Sequence, residues 1–365
     1  MGCRAGPLES LAVTRDFWRG KRVFVTGHTG FKGGWLVLWL ADMGAEIYGY
    51  ALAPSTEPNF FTACRLQPCL KVSTIADIRD APTLAKAMQA AQPDIVLHLA
   101  AQALVRYSYA FPAETYAVNV MGTVNLLEAV RQVSSVKAVL NVTTDKCYEN
   151  HELDRPYRED EALGGYDPYS SSKGCSELVT AAYQRSFLGS AGIQLASARA
   201  GNVIGGGDWA NDRLVPDFFR ALDAGQTLII RSPRATRPWQ HVLEPLSGYL
   251  TLAEKLYVQG QAFAEAWNFG PEETDARSVQ WIVEHLCEQM PGTSWHCDTA
   301  SQPHEAGFLK LDISKAKSRL AWHPRWGVDT ALDHTLAWHQ AWKRGDDMAA
   351  VSLRQIHAYE AVTRA

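Results

Sequence analysis

Several features are missing from this sequence, and each absence narrows what the chain can be. No run of about 18 apolar residues occurs, which argues against a membrane-spanning helix. The first 20 residues lack the apolar core of a signal peptide, so a cytoplasmic protein is expected. Cysteine is sparse and odd in number: seven residues at 3, 64, 69, 147, 175, 287 and 297, with no C-x-x-C pair. That spacing favours neither a disulfide framework nor a zinc site and suits reduced thiols. The late histidines (His296, His304, His323, His334, His339) have no metal spacing either, and no metal is expected. Excess positive charge is absent. Thirty-five Lys and Arg stand against 39 Asp and Glu, a net charge of −4, which gives no general attraction to nucleic acid or acidic membranes. Internal repeats and low-complexity tracts are also absent.

What remains is a chain of 365 residues, 47% hydrophobic and 20% charged, as in soluble globular proteins. Residues 1–16 read as a loose extension. From Lys21 to Leu52 the pattern is strand, glycine-rich turn, helix, strand. Val23–Val25 is β-branched, Trp35, Leu36, Trp39 and Leu40 recur at helical spacing, and a strand resumes at Ile47. Strands then alternate with helices through 70–80, 83–92, 94–102, 114–133, 137–145, 171–187 and 193–205. That alternation predicts an α/β fold: a Rossmann-type doubly wound parallel sheet over 17–205. After Gly205 the helices dominate and the strands shorten. Residues 206–345 are expected to form a smaller α/β lobe, with segments near 239–270 returning to the main sheet.

Three short stretches carry the chemistry. The first turn runs Gly27-His28-Thr29-Gly30-Phe31-Lys32-Gly33. Glycines there let the backbone approach a pyrophosphate, whose charge is met by amides at a helix N-terminus. A glycine triad alone is weak; between a strand and a helix at the head of a βαβ array it predicts dinucleotide binding. An acid usually ends the second strand and holds the ribose, yet here the chain reads Tyr50-Ala51-Leu52-Ala53-Pro54. No arginine stands there for a 2′-phosphate, so NAD is favoured over NADP. Asp77 and Ile78, after the third strand, are candidates for the adenine edge, an ordinary loop aspartate being the plainer reading. The second stretch is Tyr169-Ser170-Ser171-Ser172-Lys173. One helical turn separates Tyr169 from Lys173, so they share a face. An ammonium near a phenol favours its ionised form, which makes a base for a hydroxyl proton. A third stretch, Thr143-Thr144-Asp145-Lys146, ends the fifth strand in an acid and a base side by side.

The order GxxGxxG, HLAAQ, NVMGT, TTDK, YSSSK and RAGNVIGGGDW resembles the extended short-chain dehydrogenase/reductase superfamily. Within it, VTGHTGFKGGWL, TDKCYEN, GGYDPYSSSKGCSEL, RAGNVIGGGDWA and RPWQHVLEPLSGY resemble the CDP-glucose 4,6-dehydratase family. The resemblance runs from about Phe17 to Trp342. It implies an NAD-dependent enzyme that oxidises a hexose at C4, eliminates water across C5–C6 and returns the hydride to C6. It places Tyr169 and Lys173 at the C4 oxidation, with Thr144 against the C4 oxygen. Asp145 falls at the position of the acid that protonates the departing 6-hydroxyl. Lys146 replaces the glutamate base of dTDP-glucose relatives, either as a neutral amine base or as a charged stabiliser. Thr143, Leu99, Ala100 and Ala101 are implied in the cofactor wall, Asn119 at the cofactor or at a helix kink, and Asn202, Arg213 and Arg237 at the substrate phosphates. An arginine that dTDP-type relatives place near 304–308 is absent from His304-Glu305-Ala306-Gly307-Phe308. The implied substrate is CDP-glucose. Alternatives are another nucleotide-sugar 4,6-dehydratase (dTDP-glucose or GDP-mannose), a UDP-sugar 4-epimerase, or a non-catalytic nucleotide sensor. The helices near 114–133 and 170–187 imply a homodimer.

Overall fold

The computed structural model describes residues 13–298 and 307–362. Seven parallel strands form the central sheet: β1 (Arg22–Thr26), β2 (Glu46–Ala51), β3 (Leu70–Ile75), β4 (Ile95–His98), β5 (Ala138–Val142), β6 (Gln194–Ala200) and, much later, β11 (Ala266–Phe269). Their spatial order is β11-β6-β5-β4-β1-β2-β3. Chain direction therefore reverses its march between β1 and β4, and the crevice above their carboxyl ends is where doubly wound sheets bind ligands. Central strands are mostly apolar because helices cover both faces; every residue of β5 is buried, Asn141 included. In the edge strand β3 only Leu70 is buried, and the rest is partly or fully open to solvent.

One face of the sheet packs helix Phe31–Asp42 and helix Leu243–Gln259, whose Trp35, Trp39, Leu246 and Leu250 are fully buried. On the other face Leu84, Met88, Leu126, Leu127 and Val130 make a second core. A third core lies in the later lobe. It joins Phe218, Phe219, Ile230, Trp239, Ile282 and Leu332. Three two-stranded sheets stitch that lobe together: β7 (Val203–Ile204) with β10 (Gln240–His241), β9 (Thr236–Pro238) with β12 (Ala276–Ser278), and β8 (Leu228–Ile230) with β13 (Trp295–Cys297). Helix Leu243–Gln259 and β11 lie on and in the main sheet, β11 pairing with β6.

Of the extension read over 1–16, residues 1–12 lie outside the described residues. Val13 is buried, and Arg15 pairs with Asp42 at 2.6 Å and Glu360 at 2.7 Å. A C-terminal helix, Met348–Ala361, was not foreseen from sequence. Its Tyr359 packs edge-on against Trp39, and Trp39 Nε1 donates to Glu360 at 2.9 Å. The helix thereby covers the apolar side of Phe31–Asp42. Among the described residues no helix is long and apolar enough to cross a membrane.

Candidate active site

A cavity of about 1010 Å³ opens above the carboxyl ends of the strands and runs on between the sheet and the later lobe. It is lined by all the residues singled out above for catalysis, cofactor or substrate except Asn119. His304, Glu305 and Ala306 lie outside the described residues.

The floor at one end is the glycine turn between β1 and helix Phe31–Asp42. Gly27 has φ +78°, and a Cβ there would stand 2.8 Å from the Ala100 nitrogen. At Gly33 a Cβ would stand 2.0 Å from the Gly27 carbonyl oxygen, so no side chain fits without moving backbone. Gly30 is the N-cap of the helix, whose first amides have no intrahelical acceptor. These residues fit the diphosphate of a dinucleotide: close backbone, free amides and a helix N-terminus. Leu99, Ala100 and Ala101 form the facing wall. Thr26 Oγ1 fixes it by accepting from the Leu99 and Ala100 amides, both at 3.1 Å. Beyond β2, Thr29 Oγ1 donates to the Leu52 carbonyl at 2.8 Å, so a hydroxyl ties down the strand end that carries no acid. Asp77 lines the cavity but is gripped by Arg79 at 2.6 Å, which holds its carboxyl below the usual range. Ile78 is buried beside it.

Asn119 is not at the cavity. It sits on a π-helical turn, Ala117–Met121, and is buried. Its Nδ2 donates to the Gln102 carbonyl at 3.0 Å and to Ser172 Oγ at 2.9 Å, while its Oδ1 accepts from the Gln102 amide at 2.9 Å. It pins the wall loop to the helix that carries Tyr169.

That helix, Pro168–Tyr183, begins with Asp167 as N-cap accepting from the Ser170 amide at 2.9 Å, and proline at its first position. Tyr169 and Lys173 follow one turn apart, both buried. Lys173 Nζ donates to the Val142 carbonyl at 3.3 Å. Burial lowers the Lys173 ammonium to about 8, opposed by the charge of Glu177. The Tyr169 phenol is raised to about 12, chiefly by burial; its hydrogen bond with Thr144 works the other way and the Asp145 charge adds to the rise. The sequence suggested a lowered phenol; in the protein alone, burial wins.

Strand β5 ends at Val142, and Thr144 caps the short turn Asp145–Cys147. Thr144 Oγ1 donates to Asp145 Oδ1 at 2.9 Å. Lys146 Nζ is 3.9 Å from the same carboxylate. Asp145 is 1% exposed, and its Oδ2 is buried without a hydrogen-bond partner. The pair at the end of the strand is therefore an enclosed carboxyl facing the cavity with an amine at its side. Thr143, one residue earlier, donates instead to Glu177, away from the site.

At the far end of the cavity Arg213 pairs with Asp208 at 2.8 Å, Arg237 lies buried on β9, and Asn202 follows β6. Three features had escaped the sequence reading. Glu177 and Arg199 form a buried ion pair of 2.9 Å under the catalytic helix. Glu177 lies four residues after Lys173, a spacing that was there to be read. Asp212 holds Arg231 at 3.0 Å and Arg106 at 3.5 Å across the cavity mouth. Lys32, on the glycine turn, lines the same cavity as Asp145, Lys173 and Arg213.

A Rossmann sheet, a glycine cradle and a Tyr/Lys pair beside an enclosed acid define a dinucleotide-dependent enzyme of the short-chain dehydrogenase/reductase type. The sequence profile described as GDP-mannose 4,6-dehydratase matches residues 24–335, and the chain belongs to that family. It is 54% identical over 357 residues to CDP-glucose 4,6-dehydratase of Salmonella typhimurium, covering 96% of this chain and 99% of that protein. A dTDP-glucose 4,6-dehydratase of Xanthomonas campestris is 25% identical over 344 residues, covering 88% and 94%. Among solved structures, DesIV, the dTDP-glucose 4,6-dehydratase of Streptomyces venezuelae, superposes with a TM-score of 0.75 at 24% identity. It covers 90% of this chain and 99% of that one. Pal of Bacillus thuringiensis superposes with a TM-score of 0.77 at 22% identity, covering 88% and 99%. These two likenesses bear on the fold.

Proposed function

We propose that this chain converts CDP-glucose to CDP-4-dehydro-6-deoxyglucose and water, with NAD held in the glycine cradle. The observation that carries the proposal is the placement of Asp145 and Lys146 beside Thr144 and Tyr169 in one cavity. The near-full-length identity to the Salmonella enzyme supports CDP-glucose as the substrate. When bound, NAD takes a hydride from C4 and gives it back at C6. The rest is the work of side chains. Tyr169, with Lys173 beneath it, takes the proton from the C4 hydroxyl, and Thr144 holds that oxygen. A bound cofactor's positive nicotinamide would oppose the burial that raises the phenol. The resulting ketone acidifies C5–H. Lys146 accepts the C5 proton, and Asp145 stands at the acid position to donate to the departing 6-hydroxyl. Arg213 and Arg237 grip the diphosphate, a task suited to planar guanidinium, and Asn202 borders it.

The cofactor unit is taken as 17–205 with the returning segment 239–270, and the substrate lobe as 206–345. A homodimer in the cytoplasm is part of the proposal. Tyr107, Phe111, Tyr116, Met121, Leu178 and Phe187 stand exposed on the helices of 105–121 and 168–188, apolar surface that a partner would cover. The product suits an early step toward deoxysugars of bacterial surface polysaccharides such as O-antigen. A 4-epimerase has the same fold but no use for an acid at O6, so the enclosed Asp145 counts against it. Incubation with CDP-glucose and NAD tests the proposal. The expected product has lost one water and shows the alkaline absorbance of a 4-keto sugar. CDP-galactose as the product would contradict it.

A further inference from the structure

Arg106, Arg213, Arg231 and Arg237 all line the cavity. Two of their counter-ions differ in kind. Asp208, which holds Arg213 at 2.8 Å, is 6% exposed, so that pair is fixed inside the protein. Asp212, which holds Arg231 at 3.0 Å, is 40% exposed. It has a second partner, Arg106 at 3.5 Å, on helix Val105–Ala110, which follows the cofactor wall in the chain. An ion pair open to water is worth a factor of about five at most in an equilibrium. A guanidinium that meets a phosphate through two parallel hydrogen bonds is held more strongly.

The place that Asp212 occupies suits an anion. It precedes Arg213, the N-cap of helix Leu214–Ala224, where no side chain caps the first amides. Leu214 and Val215, the first residues of that helix, line the cavity. Negative charge is favoured at this end of a helix, whether it belongs to a carboxylate or a phosphate. Asp212 also has a left-handed backbone, φ +59°, which few residues other than glycine, asparagine and aspartate adopt.

We propose that Asp212 is a resting counter-ion for Arg231, and that Arg231 leaves it for the diphosphate of the nucleotide sugar while Arg106 keeps it. This rests on the nucleotide-sugar reading and adds Arg231 to the two arginines placed at the diphosphate above. The exchange strands no charge. Before binding, Asp212 neutralises Arg231 and holds its side chain in one orientation, which lowers the ordering cost of binding. Afterwards the diphosphate takes that place, and Asp212 retains its pair with Arg106.

Calorimetry of CDP binding to the NAD-loaded protein tests the exchange without turnover. Arg231→Gln should weaken CDP about tenfold or more, the scale of one hydrogen bond to a charged group. Asp212→Asn keeps a residue that tolerates the left-handed backbone and removes the competing charge. CDP should then bind about two- to fivefold more tightly. In the Arg231→Gln background the same change should bring no gain, since nothing is left to release. Arg106→Gln should weaken CDP by less than about fivefold, because Asp212 then has Arg231 alone; in the Asp212→Asn background it should have no effect. Unchanged CDP affinity in Arg231→Gln overturns the proposal. So does weaker binding in Asp212→Asn, which would make the bridge a clasp that retains the ligand. A gain of equal size with and without Arg231 overturns it too, as attraction at a distance. Equal loss on Arg106→Gln in both backgrounds would put Arg106 itself on the phosphate and likewise overturn the exchange. A wild type that binds UDP or dTDP and not CDP would sink the substrate reading alone, and the same variants then read the exchange on that nucleotide.

Discussion

Glu177→Gln removes one charge from beneath the site and changes almost no volume. Glu177 accepts from Arg199 Nη2 at 2.9 Å, from Ser197 Oγ at 2.6 Å and from Thr143 Oγ1. Arg199 is as deeply enclosed; it also donates to Tyr148 Oη at 2.8 Å and to the Glu159 carbonyl at 3.1 Å. The amide of glutamine would present a donor to one of three donors and leave the guanidinium without a counter-charge. Breaking a buried pair by removing one partner costs about 3–5 kcal/mol. Because glutamine keeps the volume and one acceptor, about 3 kcal/mol is expected. With an unfolding entropy of roughly 0.8 kcal/mol/K for a chain of this length, Tm should fall by about 4 °C. Denaturant unfolding gives the free energy directly, and adding Arg199→Gln should recover part of it. The catalytic consequence has a definite sign. Glu177 holds the Lys173 ammonium up against burial. Without it Lys173 loses its proton at lower pH, so the alkaline limb of the rate profile moves down. Unchanged stability together with an unmoved alkaline limb would refute this reasoning.

Tyr169→Phe should keep the fold and cofactor binding but abolish C4 oxidation; turnover within a few-fold of wild type would show another base. Lys146→Ala should still pass hydride from C4, then stall, with elimination down about 10²–10⁴-fold; solvent deuterium should enter C5 in the wild type and not in the variant. Glu244 is a buried carboxyl on helix Leu243–Gln259, raised by burial to about 7 although it accepts from the Arg325 and Trp326 amides and Tyr359 Oη. A raised carboxyl binds its proton more tightly in the folded chain. The stability it adds is therefore full below about pH 4.5 and is lost as pH rises to about 7, by roughly 3 kcal/mol in all. Glu244→Gln should remove that slope. A difference from wild type that stays flat between pH 4.5 and 7 would contradict it.

The fold was legible because periodicity changes character along the chain. β1 to β6 announce themselves as short apolar runs, and the glycine turn and Tyr169/Lys173 sit at fixed places in that order. β11 was harder to place, because pairing with β6 joins segments some 70 residues apart and nothing local in AWNFGP names its neighbour. Helix Met348–Ala361 escaped because its apolar side is matched to Trp39, a long-range partner. In the site, motif spacing identified Asp145 and Lys146 but not their enclosure. The orphaned Oδ2 and the place of Lys32 in the same cavity depend on the glycine turn and the end of β5, two stretches over 110 residues apart. For Asn119 the sequence left a cofactor contact and a helix kink open; it lies on the π-helical turn, and its hydrogen bonds make it a pin between the wall and the catalytic helix.

The central claim is that the hydride removed at C4 is returned at C6 after water has left. CDP-glucose deuterated at C4 follows that atom directly. Mass spectrometry and NMR of the product should find the deuterium on the C6 methyl group of a 4-keto sugar, with one solvent hydrogen at C5. Deuterium returned to C4 of an intact hexose would show an epimerase and contradict the account.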